Sequence, residues 1–138
     1  MAIVILPVII LGLILAILEI VFVYQDEGSM HPLTHAMHAL PAMFIFIFIS
    51  MNVSFVLGLF NMQTNLWLTI GIRVIVGIIA MAKIAGAVAV AGPVGEKLPH
   101  TLIIGALIIA APFIWESLVC LIPFVQNFGT TWNGCPAA

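Results

Sequence analysis

The chain has 138 residues, of which 64% are hydrophobic and 6% charged, with three Lys/Arg against five Asp/Glu and a formal charge of −2. A water-soluble domain covers its surface with about a quarter charged residues, so this composition excludes one and suits a solvent of acyl tails. The near-neutral balance likewise excludes nucleic acid or another polyanion as partner.

A helix that crosses the hydrocarbon needs about 20 mainly apolar residues, and the sequence offers four such runs. The first covers residues 2–24 and ends at the polar cluster Gln25-Asp26-Glu27-Gly28-Ser29. It lacks a basic leader and an Ala-x-Ala site, and it reads as an uncleaved anchor rather than a signal peptide. The second covers residues 40–60, the third 66–91 up to Gly92-Pro93, and the fourth 101–124. A polar, Gly-containing tail follows over residues 126–138. Phe44-Ile45-Phe46-Ile47-Phe48-Ile49 has β-forming residues, but a lone strand in lipid leaves its backbone unpaired, so helix is expected there. Pro41 and Pro112 each remove one helical hydrogen bond inside a span. The expected fold is therefore all-α: a single polytopic membrane domain of four transmembrane helices, in contact with the lipid bilayer. Four crossings put both termini on one face, here termed side A. Side B carries the 25–40 region and the 92–100 loop. Lys97 is the only lysine or arginine outside the spans, and the positive-inside rule then makes side B cytoplasmic and the termini extracytoplasmic.

Glu19, Arg73, Lys83 and Glu116 lie inside apolar runs. A charge near the bilayer centre costs at least about 2.5–3.5 kcal/mol, so each should meet protein, water or an opposite charge. Counting depth at 1.5 Å per residue pairs Arg73 with Glu116 toward side A and Glu19 with Lys83 toward side B. Two balanced pairs fit fixing of helix register better than one continuous proton path, although a partner subunit can also supply a counter-charge.

All four histidines fall on side B. His31, His35 and His38 share one face of a helical segment at the interface before the second span, with Ser29 as a candidate N-cap and Pro32 in the first turn. Glu27 is four residues before His31, and His100 opens the fourth span. Imidazoles and a carboxylate suit zinc, copper or iron, with Met30 and Met37 adding affinity for Cu(I). Haem ligation would take a histidine from each of two helices, such as His35 or His38 with His100. The competing reading is an interfacial helix whose histidines meet headgroups, water or a partner.

Ala82-x3-Gly86 and Ala85-x3-Ala89 in the third span follow the small-x3-small pattern that permits close helix approach. Gly105, Ala106, Ala110 and Ala111 offer a matching surface on the fourth. Cys120 and Cys135 can form a disulfide pinning the tail if side A is oxidising. The sequon Asn52-Val53-Ser54 lies within a span, where glycosylation is not expected.

No phosphate loop, catalytic triad or CxxC pair is present, so no residue is assigned a catalytic role. The four-span size and Glu19 are similar to small multidrug transporters, but the third and fourth spans are not. The apolar, lysine-poor texture with Met and His at one interface resembles small accessory subunits of membrane oxidoreductase complexes. Glu27-x3-His31 is similar to the carboxylate-x3-His of the copper-binding C subunit of ammonia and methane monooxygenases, with Glu in place of Asp and a different later spacing. The resemblance implies a non-catalytic subunit of a larger hetero-oligomeric membrane complex. Two other functions stay open. One is a metal- or haem-binding subunit using His31, His35 and His38; the other is a small oligomeric transporter or proton channel lined by the buried charges.

Overall fold

The computed structural model describes residues 3–27, 32–91 and 98–121, with the side chains of 26–27, 32–39 and 87–91 outside the description. Among these residues the fold is all-helical: α1 Leu6–Glu27, α2 Pro32–Met51, α3 Val53–Leu59, α4 Leu66–Ala91 and α5 Leu98–Leu121. Three stretches are long and apolar enough to cross a membrane: Leu6–Gln25, Leu66–Gly86 and Leu98–Leu121. The second expected span is different. Its apolar parts, Leu40–Met51 and Val53–Leu59, meet at Asn52 with an 86° bend, so the run is a broken pair and not one straight helix. The phenylalanine–isoleucine run lies inside α2 as helix. The residues expected to form a separate histidine segment are instead continuous with α2, which starts at Pro32, a residue suited to a first helical position.

Two antiparallel hairpins make up the bundle. In the first, Val4 meets Asn52 and Gly12 lies against the Phe44 ring. An eight-residue step along α1 thus matches an eight-residue step back along α2. In the second, Arg73 sits over Phe113, Gly77 against Ile109, and Met81 against Gly105. That ladder advances in four-residue steps, as antiparallel helices with one facing residue per turn must. Helix α2 is the centre of the molecule: it packs on α1, α4 and α5, while α1 also touches α5. The core where the hairpins join is built from fully buried Met43, Ile47, Ala80, Ile84, Ile104 and Ile108.

Local signals explain the helix ends near side A. Asn65 caps α4, its side-chain oxygen accepting from the Leu68 amide at 2.8 Å, which satisfies one of the free first-turn donors. Asn61 closes α3 with φ 55°. The Met62 amide reaches back to the Leu57 carbonyl and the Asn61 amide to Gly58, the Schellman arrangement with asparagine in the left-handed position usually held by glycine. An edge-to-face contact between Phe48 and Phe55, 6.3 Å between centroids, braces the bend.

Close packing of α4 on α5 depends on Gly77. A Cβ there would collide with the Ile109 side chain and sit 3.1 Å from the Gly105 carbonyl oxygen, whereas a Cβ at Gly86 would meet nothing within 4 Å. Gly77→Ala should therefore destabilise the fold by about 1–3 kcal/mol through overpacking. Gly86→Ala should be neutral or stabilise by up to about 1 kcal/mol through helix propensity. Denaturant titrations in detergent, followed by circular dichroism, compare the two; equal effects would contradict this interface.

Candidate functional site

A cluster of polar groups inside the bundle meets at the break after α2. An α-helix bonds each amide to the carbonyl four residues earlier. Pro112 has no N–H, so the Ile108 carbonyl in α5 loses its helical donor. Ser50, wholly buried, replaces it: its hydroxyl donates to the Ile108 carbonyl at 2.7 Å. The bend at Asn52 in turn interrupts the ladder beyond Ser50, and the Ser50 carbonyl accepts from Arg73 Nε at 3.2 Å. Asn52 has φ −117° and ψ 36° and no side-chain bond that caps α3. Its carboxamide instead pins the start of the chain, accepting from the Val4 amide at 2.7 Å and donating to the Val4 carbonyl at 3.1 Å. The same nitrogen also reaches the Phe48 carbonyl at 3.0 Å.

Arg73 is half-buried, and besides Ser50 it has the Phe113 ring under its guanidinium, 5.2 Å from the centroid. Glu116, three residues further along α5, acts on Arg73 through its charge. The hydrogen bond of Arg73 goes to the broken helix. Glu19 is wholly buried in α1. Lys83 is exposed on α4, and among the described residues α1 and α4 do not pack on each other. Ala82, Ala85 and Gly86 are on the exposed side of α4; the Ala89 side chain is outside the described residues. The α4–α5 contact uses Gly77 and Met81 on α4 against Gly105 and Ile109 on α5.

Of the histidine candidates, His31 is outside the described residues, as are the side chains of Glu27, His35 and His38. The backbones of His35 and His38 belong to α2. His100 stacks on Phe22, with centroids 4.2 Å apart and planes 6° from parallel. Among the described residues no group of three His, Cys, Asp or Glu side chains is placed to hold a metal. Cys120 is disulfide-bonded; the sequence has one other cysteine, Cys135, which lies outside the described residues.

Ser50 and Asn52 build the joint, a role that the sequence reading did not assign to either. Their signal is present in the sequence: two small polar residues flank Met51 within a largely apolar run, and a proline stands four residues after Ile108. No family model, curated protein or solved structure matches the chain.

Two double-mutant cycles test this joint. Ser50→Ala should cost about 1–3 kcal/mol, because it strands a buried carbonyl. In a Pro112→Ala background the restored amide can serve Ile108, so the same change should cost less than about 1 kcal/mol. Equal costs in both backgrounds would show that Ser50 does not serve that carbonyl. Separately, Arg73→Leu should destabilise by about 1–3 kcal/mol, and adding Glu116→Gln should recover part of the loss. A double variant no better than the single would remove Glu116 from the joint.

Proposed function

We propose that this protein is a non-catalytic subunit of a larger hetero-oligomeric membrane assembly, crossing the bilayer four times. The observation that carries the reading is where the polar groups around the break at Asn52 end. Ser50, Asn52 and Arg73 each spend their hydrogen bonds on backbone atoms of neighbouring segments, which is the work of building a scaffold. A transport or catalytic site would keep such groups for a substrate. The outer surface supports association with lipid and other chains: Ile17, Ile75, Ile78 and Phe113 are exposed large apolar side chains. Lys83 stands exposed among them on α4, a position that favours a counter-charge from another subunit.

Four crossings follow if α2 spans alone. Its 20 residues make a rod about 30 Å long, and the Asn52–Val4 bonds bring its end back beside the start of α1. Helix α3, turned by 86°, then runs along side A rather than through the bilayer. The Cys120 disulfide fits an extracytoplasmic side A, where thiols are oxidised. An ammonia- or methane-monooxygenase-type assembly is the host to which the resemblance at Glu27 and His31 points.

Purification from native membranes in mild detergent, with mass spectrometry of the co-purifying chains, tests the reading. Foreign membrane subunits in fixed stoichiometry are the expected result. A lone homo-oligomer that moves protons across liposome membranes would overturn it in favour of a small channel.

A further inference from the structure

The side-A end of the bundle carries a second feature besides the polar joint. Asn52 is bonded to Val4, two residues before the first candidate span, and α4 opens another span at Leu66. The chain between Asn52 and Leu66 is therefore held at the level where spans begin and end. Helix α3, seven residues or about 10 Å long, turns 86° away from the end of α2. It packs on α2 and α4 and buries Val53 and Leu57. The turn that Asn61 opens then returns the chain to α4.

Around that turn, polar and apolar side chains are sorted by position. Asn61, Gln63, Thr64 and Asn65 are exposed at its tip, while Leu59 and Phe60 precede it and Leu66 and Trp67 follow it. These flanking apolar side chains stand well out from the bundle, Phe60 at 70% and Trp67 at 81% exposure. Residues 51–72 carry no charged side chain and no histidine, whereas a surface that faces bulk water is rich in charge. Trp67 also continues the exposed face of α4 formed by Ile70, Val74 and Ile78, spaced three or four apart as one helical stripe. It thus ends the apolar stripe that a crossing helix turns to acyl chains. A tryptophan at that level matches the interfacial belt, where the ring is apolar and its N–H reaches the headgroups.

We propose that residues 59–67 bind the side-A surface of the bilayer as an interfacial anchor. Leu59, Phe60, Leu66 and Trp67 sit at the boundary between headgroups and acyl chains, and the 61–65 turn lies among the headgroups. The proposal rests on the reading above in which α2 crosses alone and α3 runs along side A. The occupant is phospholipid taken up by partition rather than by charge: with no cation in the segment, zwitterionic headgroups serve as well as anionic ones. Apolar pairs on both sides of the turn fix its depth and hold α3 in the membrane plane. The lipid surface thereby supports from outside the bend that Asn52 begins.

The test places the full chain in phosphatidylcholine vesicles and reads Trp67 fluorescence as the difference between the native chain and Trp67→Phe. Lipids with a nitroxide at the top or at the end of the acyl chain report depth, and iodide reports water. The expected result is at least about twofold stronger quenching from the top of the chain than from its end, with little quenching by iodide. Phe60→Trp in the Trp67→Phe chain should behave in the same way. Circular dichroism checks each fold; should Phe60→Trp not fold, the Trp67 difference signal carries the test. Replacing part of the lipid with phosphatidylglycerol, or adding salt, should leave the quenching unchanged, and a dependence on either would overturn recognition by partition. Stronger quenching from the chain end would overturn the proposal together with the in-plane course of α3. Quenching by iodide, or by none of the probes, would overturn the proposal alone and assign this surface to water or to a neighbouring chain. None of these outcomes depends on which subunits co-purify, so the accessory-subunit reading stands or falls separately.

Discussion

A hydrocarbon interior offers no water to a backbone group that has lost its partner, and the architecture of this protein follows from where it breaks that rule and how it repairs the breach. Pro112 frees the Ile108 carbonyl, and Ser50 supplies its hydroxyl. The Asn52 bend interrupts the α2 ladder, and Arg73 supplies Nε to Ser50. In each case the repair comes from a different helix. The bonds are therefore tertiary contacts as well as local satisfaction, and they tie α2 to α4 and α5 at one point. Asn52 extends the same logic to α1 by pairing with both backbone groups of Val4. Every long helix of the bundle is anchored within a few residues of the break.

This arrangement gives the intramembrane cation a structural use. Arg73 presents a planar, multi-donor head: one edge goes to the Ser50 carbonyl and the face goes over Phe113, with Glu116 completing the electrostatic setting. A lysine could not fill these roles together. The two hairpins consequently differ in how they are held. The α4–α5 pair relies on close approach at Gly77 and Gly105, where van der Waals contact is the main attraction available in lipid. The α1–α2 pair uses large side chains, the Gly12–Phe44 contact, and the Asn52 clamp at its end.

The two ends of the bundle also differ chemically. Near the break, the described polar groups are engaged with backbone. At the opposite end, Glu19 is wholly buried on α1 and His100 of α5 stacks on Phe22.

The sequence by itself determined the solvent, the helical class and where α4 begins. Composition excludes water, the lipid interior excludes strands, and the third run starts with α4 at Leu66 because Asn65 before it can cap. The break at Asn52 was not read from the sequence, although Ser50, Asn52 and Pro112 were all visible there. A polar residue in an apolar run signals a bend only if another helix supplies the compensating donor, and that donor is 23 residues away for Arg73 and 58 for the Ser50–Ile108 bond. Depth counting placed Glu19 and Lys83 at one level but could not say which helices touch. Contact depends on the order of helices around the bundle, which one-dimensional spacing does not contain. The same holds for the small residues of α4: Ala82 and Gly86 carry the packing pattern, yet the register of α4 on α5 turned Gly77 inward instead. Helix rotation is decided by the sum of all side-chain contacts, and only the tertiary structure evaluates that sum.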